Sequence, residues 1–564
     1  LPGTGSGPRR AVTAGGATVA AAVGAALVRA GIEHVFGVVG SGNFEVTNAM
    51  VAAGARYVAA RHETGAATMA DGYARMSPAG VAAVSLHQGC GLTNALTGIT
   101  EAAKSRTPLV VVTAEATQPR SNFFVDQPAL AQAVGAVPMR ITSAEEATRQ
   151  AVQAVATAVQ QRRTVLLNLP LDVQALGAAD PMASASMARP IPRPQPAADP
   201  RDVERLVTAL RTARRPVFVA GRGARGPGCR AALEHLAERC GALLATSAVA
   251  KGLFAGNPWS LDVSGGFASP LAAELIAGAD LIVGWGCTLN MWTMRHGRLI
   301  APGATVVQVD VDADALGAHR ELTFGALGDV GQIARAVGES LGDGGAGYRT
   351  PELRAEIAAR VRWRAVPFQP ATEPGRIDPR ELTIALDDLL PPERIVSVDS
   401  GNFMGYPSMF LGVPDEFGFC FTQAFQSVGL GLATAIGAAL ARPDRLPVAA
   451  LGDGGLLMGA SELETVARLG LPMVVIVYDD AAYGAEVHHF GPHGARLDTV
   501  RFPETDLAAA ARGFGFEGIT VRGPEDLAAV ASWLAGPRAA PMLIDAKVTR
   551  DQPSWWLEEA FRVH

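Results

Sequence analysis

The sequence predicts an α/β fold made of three consecutive doubly wound parallel-sheet domains. Short runs of β-branched and other apolar residues alternate with alanine-rich stretches along nearly the whole chain, as in HVFGVVG, DLIVGWG and PMVVIVYDD. Continuous apolar runs that end at Gly, Pro or Asp are typical of strands buried on both faces of a parallel sheet. The 564 residues exceed one compact core, and about 150 residues per domain gives three or four domains.

Two segments rich in proline and small residues divide the chain. The first extends from Pro181 to Pro200, and the second lies loosely between Gly342 and Pro379. Such compositions bury too little apolar surface to offset the entropy of ordering, so they mark domain boundaries. The predicted domains are residues 12–180, 195–342 and 376–548.

Composition argues against several classes of function. The net charge is -6, and no basic stripe interleaved with aromatic residues indicates a nucleic-acid partner. The apolar stretches are too short to span a membrane, and the first residues lack the apolar core of a signal peptide. The five cysteines are far apart and form no CxxC pair, which argues against a disulfide framework or a zinc site and favours a reducing cytoplasm.

A strand–helix–strand segment near the C-terminus predicts a metal site. The strand PVAAL ends in GDGG, which contains Asp453, and the strand MVVIVY ends in Asp479 and Asp480. Ser461 and Glu464 have the spacing of a capping box for the helix between the two strands. A right-handed crossover places both strand ends at one sheet edge, where carboxylates and exposed glycine amides suit Mg²⁺ with a polyphosphate. The alternative is an ordinary turn followed by a solvated strand end.

A second acidic position lies early in the chain. The string YVAARHETGAATMADGYARM places Glu63 after a predicted strand and at the start of a helix. Position alone favours an ordinary acid in the first helical turn, where the helix dipole stabilises negative charge.

Together these two segments resemble the thiamine-diphosphate (ThDP) enzymes of the acetolactate synthase and benzoylformate decarboxylase group. The resemblance names the three domains pyrimidine-binding, central and diphosphate-binding. It implies that Asp453, Asp480 and the carbonyl of Ala482 ligate Mg²⁺. It also implies that Glu63 activates the cofactor by hydrogen bonding to its aminopyrimidine ring from a dry pocket, where burial raises the pKa of a carboxyl group. The family has Asn-Asn where this chain has Asp479 and Asp480, so an extra negative charge is expected near the diphosphate.

The resemblance implies further cofactor contacts. The wedge residue beneath the cofactor falls on Val428, for which a plain helix-core role is the alternative. The full set of implied contacts is Gly401, Asn402, Val428, Gly452, Gly454, Gly455 and Tyr483.

Three loops are expected on the substrate side of the cofactor. Ser41 lies in FGVVGSGNFE, and His87 with Gln88 lies in SLHQGCGLTNALTG, where the family has Thr-Ser. His87 is either a proton shuttle or a structural histidine. The sequence Asn-Phe-Phe at residues 122–124 replaces the Phe-Gln-Glu of acetolactate synthases before a Val-Asp-Gln, which argues against the ordinary reaction of two pyruvates. The histidines of VHHFGPH, on the loop after the second metal strand, are expected to be solvated.

The activity implied is that of a ThDP- and Mg²⁺-dependent carboligase or lyase that converts 2-oxo acids or diketones to acyloin-type products. A non-oxidative 2-oxo acid decarboxylase that releases an aldehyde is the alternative within this chemistry. The family's site lies between subunits, which implies a homodimer or homotetramer.

Two readings from other classes stay open. Residues 221–226 satisfy GxGxxG after the strand PVFVA, a weak signal for a flavin- or nicotinamide-dependent oxidoreductase. Some relatives bind FAD in the central domain, but a domain without FAD is favoured here. A non-catalytic scaffold is the other reading, and the intact Glu63 and Asp453 argue against it.

Overall fold

A computed structural model describes residues 17–178, 196–342 and 347–557. The strands are β1 His34–Gly37, β2 Arg56–Ala59, β3 Ala82–Leu86, β4 Leu109–Glu115, β5 Val137–Arg140, β6 Thr164–Pro170, β7 Pro216–Ala220, β8 Leu243–Thr246, β9 Ser260–Val263, β10 Leu281–Trp285, β11 Thr305–Asp310, β12 Phe324–Leu327, β13 Arg394–Val398, β14 Phe419–Phe421, β15 Leu446–Gly452, β16 Val474–Asp479, β17 Glu517–Val521 and β18 Met542–Lys547.

The helices alternate with these strands in most of the chain. They are α1 Val19–Arg29, α2 Phe44–Ala52, α3 Glu63–Met76, α4 Cys90–Lys104, α5 Gln127–Ala133, α6 Ala147–Gln161, α7 Leu171–Gln174, α8 Pro200–Thr212, α9 Cys229–Cys240, α10 Pro270–Ala277, α11 Val330–Leu341, α12 Pro351–Arg360, α13 Pro379–Leu389, α14 Gly405–Phe410, α15 Gly431–Ala441, α16 Asp453–Gly459, α17 Glu462–Arg468, α18 Gly484–Phe490, α19 Leu507–Gly513 and α20 Ala528–Ala535. None of the helices in the described ranges is long and apolar enough to cross a membrane.

The strands form three six-stranded sheets in which neighbouring strands are parallel. The first sheet has the order β2-β1-β3-β4-β6-β5, and the third repeats it as β14-β13-β15-β16-β18-β17. The central sheet has the order β12-β11-β10-β7-β8-β9, that of the dinucleotide-binding fold. The predicted fold class is confirmed.

The strand cores explain this architecture. Every residue of β3, β4, β6, β10, β13 and β16 is buried, because helices cover both faces of each sheet. By backbone proximity the chain divides into two compact units. One contains residues 17–70 and 79–178, and the other contains 71–78, 196–342 and 347–557.

The domain boundaries stay predictions. Most of the predicted first linker, Pro181–Pro200, lies outside the described residues. The predicted second linker contains the helix α12, whose Ile357 is 2% exposed and packs in the central-domain core. The proline- and glycine-rich sequences on either side of α12 made this segment look like a linker, although its helix is part of the fold.

The predicted capping box is wrong. The chain is already helical at Asp453 in α16, and α17 begins at Glu462 without a side-chain cap from Ser461. The Glu464 carboxylate instead accepts a hydrogen bond from Arg468 Nε at 3.1 Å. The helix end agrees with the sequence, because Gly470 has a φ of +62°.

The glycine motif of the central domain serves to pack backbone against backbone. A Cβ atom on Gly221 would lie 2.4 Å from the Gly286 carbonyl oxygen, and one on Gly223 would lie 2.7 Å from Gly286 Cα. Gly221 follows β7 and Gly286 follows β10, so the two neighbouring strand ends touch. A short 3-10 helix, Arg222–Arg225, lies inside the motif, and the next α-helix begins at Cys229, after the motif has ended. This packing accounts for the glycines without a bound dinucleotide.

We expect Gly221→Ala to destabilise the protein by about 1–3 kcal/mol, because the new methyl group overlaps backbone atoms that have no room to move. Gly221 has a φ of −111°, so the effect is steric and not conformational. The matched control is Gly266→Ala, where nothing lies within 4 Å of the new Cβ. Denaturant unfolding of both variants measures the difference, and equal stabilities would contradict the packing role.

Candidate functional site

The diphosphate-binding domain places its acidic residues at one edge of its sheet. β13, β15 and β16 are neighbours, and their carboxyl ends lead into Asp399, Asp453 and Asp480. The order of strands reverses between β13 and β15, which is the position where open α/β sheets bind ligands.

Two carboxylates at this edge lie close enough to affect each other. Burial, and next the charge of Asp480, raises the pKa of Asp453 to about 8. Burial likewise raises the pKa of Asp480 to about 7, and the Ala482 N–H donates to Asp480 Oδ1 at 3.1 Å. Partly desolvated acids that repel each other are stabilised by a divalent cation, so this donor set fits the predicted Mg²⁺.

The loop after Asp480 carries the predicted backbone ligand. Ala481 has a φ of +53°, a conformation that costs a non-glycine residue about 1–2 kcal/mol. Its carbonyl accepts from the Phe502 N–H at 2.8 Å, and the Tyr483 N–H donates to the Val500 carbonyl at 2.9 Å. These two hydrogen bonds involve the residues on either side of Ala482, and neither of them uses the Ala482 carbonyl.

The predicted cofactor residues of this domain lie around the same edge. A Cβ on Gly454 would lie 2.9 Å from the Tyr483 ring, and one on Gly455 would lie 3.4 Å from Val428 Cγ1. Gly401 has a φ of +143°, which favours glycine. A Cβ on Gly452 would lie 3.2 Å from the Phe403 ring. The missing side chains of Gly452, Gly454 and Gly455 therefore let protein side chains pack against the backbone at the edge where the diphosphate is predicted.

Asn402 is the polar member of this set. Its Nδ2 atom would lie 3.3 Å from a Cβ on Gly484, and Asp480 Oδ2 would lie 2.2 Å from the same point. Its Oδ1 atom accepts from the Ser554 N–H at 3.1 Å, and its carbonyl accepts from Trp556 Nε1 at 2.9 Å. The C-terminal segment thus fixes Asn402 beside the predicted metal ligand.

The helix-core alternative for Val428 is wrong. Val428 precedes α15 and is 39% exposed, because it lies in a turn that begins two residues after Gln426, whose φ is +61°. An exposed apolar side chain on a strained turn agrees with the predicted wedge position.

Asp399 holds this turn, and the sequence reasoning missed it. Its carboxylate is 1% exposed and accepts from the backbone N–H groups of Gly429 and Leu430 at 3.0–3.2 Å. A Cβ on Gly455 would lie 2.3 Å from its Oδ2 atom. Burial raises the pKa of Asp399 to about 6. The aspartate of DSGN is the only signal in the sequence, and its partners lie about 30 residues away.

We expect Asp399→Asn to cost about 1–3 kcal/mol, because an N–H donor replaces the oxygen Oδ2 that accepts from the Gly429 N–H, and the remaining bonds to Oδ1 lose their charge assistance. Hydrogen exchange should show faster exchange at the Gly429 and Leu430 amides. Asp388→Asn, at a carboxylate that is 57% exposed, is the control and should leave both amides protected. Unchanged exchange in Asp399→Asn would contradict this role.

The pyrimidine-binding domain forms a second cluster of its own. Glu63 begins α3 and is half-buried, and its Oε2 atom accepts from Asn94 Nδ2 at 3.1 Å. A Cβ on Gly91 would lie 3.7 Å from Glu63 Oε1 and 3.1 Å from His87 Cβ. The structure therefore brings Glu63 and His87 close to the same glycine.

His87 forms a polar pair with Ser41. Its Nδ1 atom lies 2.9 Å from the Gln88 carbonyl oxygen, which can only accept, so Nδ1 carries the proton. The Nε2 atom of the neutral ring is therefore an acceptor, and it lies 3.4 Å from Ser41 Oγ. The ring of Phe123 packs edge-on against His87 at 5.1 Å between centroids.

Gln88, which follows His87, is a buried residue. It is 4% exposed, and a Cβ on Gly42 would lie 1.8 Å from its Oε1 atom. The loop continues into Gly89, whose φ is +62° and whose N–H donates to Gln127 Oε1 at 3.2 Å. Gln127, the last residue of the Val-Asp-Gln string, thus supports the loop that carries His87.

Asn43 shapes the loop that carries Ser41 and was also missed. It is 0% exposed, its Oδ1 atom accepts from the Gly40 N–H at 2.8 Å, and its Nδ2 atom donates to Ser85 Oγ at 3.1 Å. The sequence predicted only Ser41 as a functional residue of this loop.

Two of the three histidines in the segment VHHFGPH, which follows Asp480 in the chain, are less exposed than expected. His488 is half-buried, and burial lowers its pKa. His489 lies 4.6 Å from the Phe490 ring between centroids, whereas His493 is exposed as expected.

The fold and these clusters define a cofactor-dependent enzyme whose outer domains repeat one strand order. Profiles of the thiamine pyrophosphate enzymes match the N-terminal binding domain at residues 17–134, the central domain at 203–337 and the C-terminal binding domain at 399–546. The chain belongs to this family of ThDP-dependent enzymes, as its sequence motifs predicted, and it forms or cleaves carbon–carbon bonds.

Relatives in the family have several activities. The probable 2-ketoarginine decarboxylase of Pseudomonas aeruginosa is 30% identical over 85% of this chain and 84% of its own length. The sulfoacetaldehyde acetyltransferase of Rhodobacter capsulatus is 28% identical over 95% of this chain and 94% of its own. The acetolactate synthase large subunit of Parasynechococcus marenigrum is 28% identical over 94% and 88%.

A solved structure has the same fold. The ThDP-dependent 4-hydroxybenzoylformate decarboxylase of Rhodococcus jostii RHA1 superposes with a TM-score of 0.79 over 95% of this chain and 100% of its own, at 23% identity.

Proposed function

We propose that this enzyme is a ThDP- and Mg²⁺-dependent carboligase or lyase that acts on 2-oxo acids or diketones to give acyloin-type products. The observation that carries the proposal is the Ser41–His87 pair, with Glu63 near the same glycine, Gly91, as His87. The Ser41 hydroxyl can orient a carbonyl oxygen when it donates to that oxygen instead of to His87, and Nε2 can do so once it carries a proton. Carboligation needs a second carbonyl positioned in this way. The relatives include an acetyltransferase and a synthase, which agrees with this chemistry.

The cofactor is proposed to lie against the diphosphate edge. Asp453, Asp480 and the Ala482 carbonyl would hold Mg²⁺, while the glycine turns, Asn402, Val428 and Tyr483 would contact ThDP. When bound, ThDP supplies a carbanion at thiazolium C2 that can add to a carbonyl carbon. Glu63 would hold the proton-sharing hydrogen bond to the aminopyrimidine ring that makes C2 acidic.

The protein is proposed to be a homodimer or homotetramer with sites shared between subunits. Several large apolar side chains at the diphosphate edge and its neighbouring loops are 39–58% exposed in the single chain, which favours burial against another subunit. They are Phe425, Val428, Leu457, Met458 and Tyr483.

Mixing two inactive variants tests both the roles and the sharing. We expect Glu63→Gln to bind ThDP without turnover and Asp453→Ala to lose ThDP binding. A mixed dimer carries one site with both native residues, so an equal mixture that exchanges subunits should recover about a quarter of the wild-type activity. Calorimetry measures ThDP binding, and steady-state assays measure recovery.

Three outcomes would contradict these assignments. Turnover by Glu63→Gln would remove its activating role, and native ThDP affinity in Asp453→Ala would remove the metal role. Mixed dimers without activity would show that each site is built from one chain.

A simple decarboxylase is the second candidate, favoured by the apolar Phe123 ring beside His87 and by the decarboxylase relative. We expect incubation with ThDP, Mg²⁺ and a panel of pyruvate, 2-ketoarginine, sulfoacetaldehyde and diketones to give acyloin-type products in mass spectrometry. His87→Ala should shift the product ratio towards aldehyde, because the acceptor carbonyl loses an orienting group. Aldehyde as the sole wild-type product would favour the decarboxylase.

We also propose a cytoplasmic location and a central domain without FAD. A cytoplasmic location agrees with the five cysteines, which are all free thiols. A central domain without FAD agrees with the packing of Gly221 and Gly223 on Gly286, which also argues against an oxidoreductase.

A further inference from the structure

Asp479, the extra acid beside the predicted metal ligand Asp480, has a buried partner. Asp479 ends β16 and pairs in register with Lys547, the last residue of the neighbouring β18. Lys547 Nζ lies 2.5 Å from Asp479 Oδ2, and the two side chains are 3% and 2% exposed. The Ala481 N–H donates to Asp479 Oδ1 at 2.9 Å. Both carboxylate oxygens are therefore engaged.

The ammonium group of Lys547 serves two acids. Asp545, on the same strand, places Oδ2 3.0 Å from Nζ, and its side chain is 0% exposed. The Thr505 carbonyl accepts from the same nitrogen at 2.8 Å. The three donors of an ammonium group are thus all used. Another cation, Arg376, donates from Nη1 to the Asp479 carbonyl at 3.1 Å and is 7% exposed.

This arrangement changes the charge expected near the diphosphate. The extra carboxylate raised the prospect of an unbalanced negative charge next to the metal ligand. A buried carboxylate without a partner is costly, whereas one with an ion pair and hydrogen bonds is tolerated. Lys547 supplies that partner from an adjacent strand, within the buried core of the sheet.

We propose that Lys547 is a positioning residue of the ThDP·Mg²⁺ site, which neutralises Asp479 and holds its carboxylate so that Asp480 alone faces the metal. The inference rests on the proposed function, because it assigns Lys547 a role toward that cofactor. Outer partners of metal ligands typically change metal affinity by about 10–100-fold when removed. Lys547 acts through Asp479 and touches neither metal nor substrate.

Charge arithmetic in the Asp479–Lys547–Asp545 group sets the order of affinities. The group has a net charge of about −1 in the wild type, −2 in Lys547→Met, 0 in Asp479→Asn and −1 in the double variant. We expect Lys547→Met to weaken ThDP binding about 10–100-fold at limiting Mg²⁺. The double variant Asp479→Asn/Lys547→Met should return to within about threefold of the wild type, and Asp479→Asn should bind at least as tightly.

The measurement is calorimetric ThDP binding to the full chain at a series of Mg²⁺ concentrations. Lys251→Met is the matched control, because Lys251 is a 4%-exposed lysine paired with Asp262 at 3.2 Å in the central domain. It should lose stability and keep its ThDP affinity.

Native affinity in Lys547→Met, or a double variant as weak as Lys547→Met, would overturn the proposal. If Lys547→Met does not fold, the other two variants decide. A double variant more than about tenfold weaker than the wild type then overturns it, and one within threefold supports it. If the wild-type protein binds no ThDP, the proposed function itself is refuted. This result is obtained before any variant is compared, so the two failures can be distinguished.

Discussion

The diphosphate-binding domain is organised around two carboxylates that water solvates poorly. Asp453 and Asp480 sit at the ends of adjacent parallel strands, and burial raises the pKa of each. Such a pair is unfavourable as two bare charges and favourable around a cation, so the local structure is that of a site formed before its ligand arrives. The loop that contains the strained Ala481 donates to Asp480 from the Ala482 N–H. The buried Asp399 holds the neighbouring turn that carries Val428.

The outer domains repeat one strand order, and in the proposed function this one topology carries two kinds of chemistry. In each sheet the strand order reverses between two neighbouring strands, β1 and β3 in the first sheet and β13 and β15 in the third. The loops that follow these strands lie at the same edge of the sheet. One domain fills that edge with carboxylates and glycine amides, which suit metal and phosphate. The other fills it with Glu63, His87 and Ser41, which suit proton transfer and carbonyl groups. Side-chain identity at the strand ends, and not the sheet, therefore separates their roles.

Patterns that act locally were predictable from the sequence. Asp453, Asp480 and Glu63 could be placed because strand ends and helix starts are marked by apolar runs and glycines. The missed residues act over long separations. Asp399 holds a turn about 30 residues away, and Lys547 pairs with Asp479 across 68 residues of chain. Only strand order and register bring such groups together, and neither is visible in one sequence.

The central glycine motif shows why a local pattern can also mislead. Its sheet has the strand order of dinucleotide-binding folds, and its GxGxxG follows the first strand. In a nucleotide site the glycines give a ligand access to helix amides, and the helix begins inside the motif. Here Gly221 and Gly223 face Gly286 on the adjacent strand end, the motif itself holds only a short 3-10 helix, and the α-helix begins at Cys229. Glycine is needed both where two backbones pack closely and where a phosphate approaches a backbone. The two situations differ in which atom, from the protein or from a ligand, lies where the Cβ atom of another residue would be.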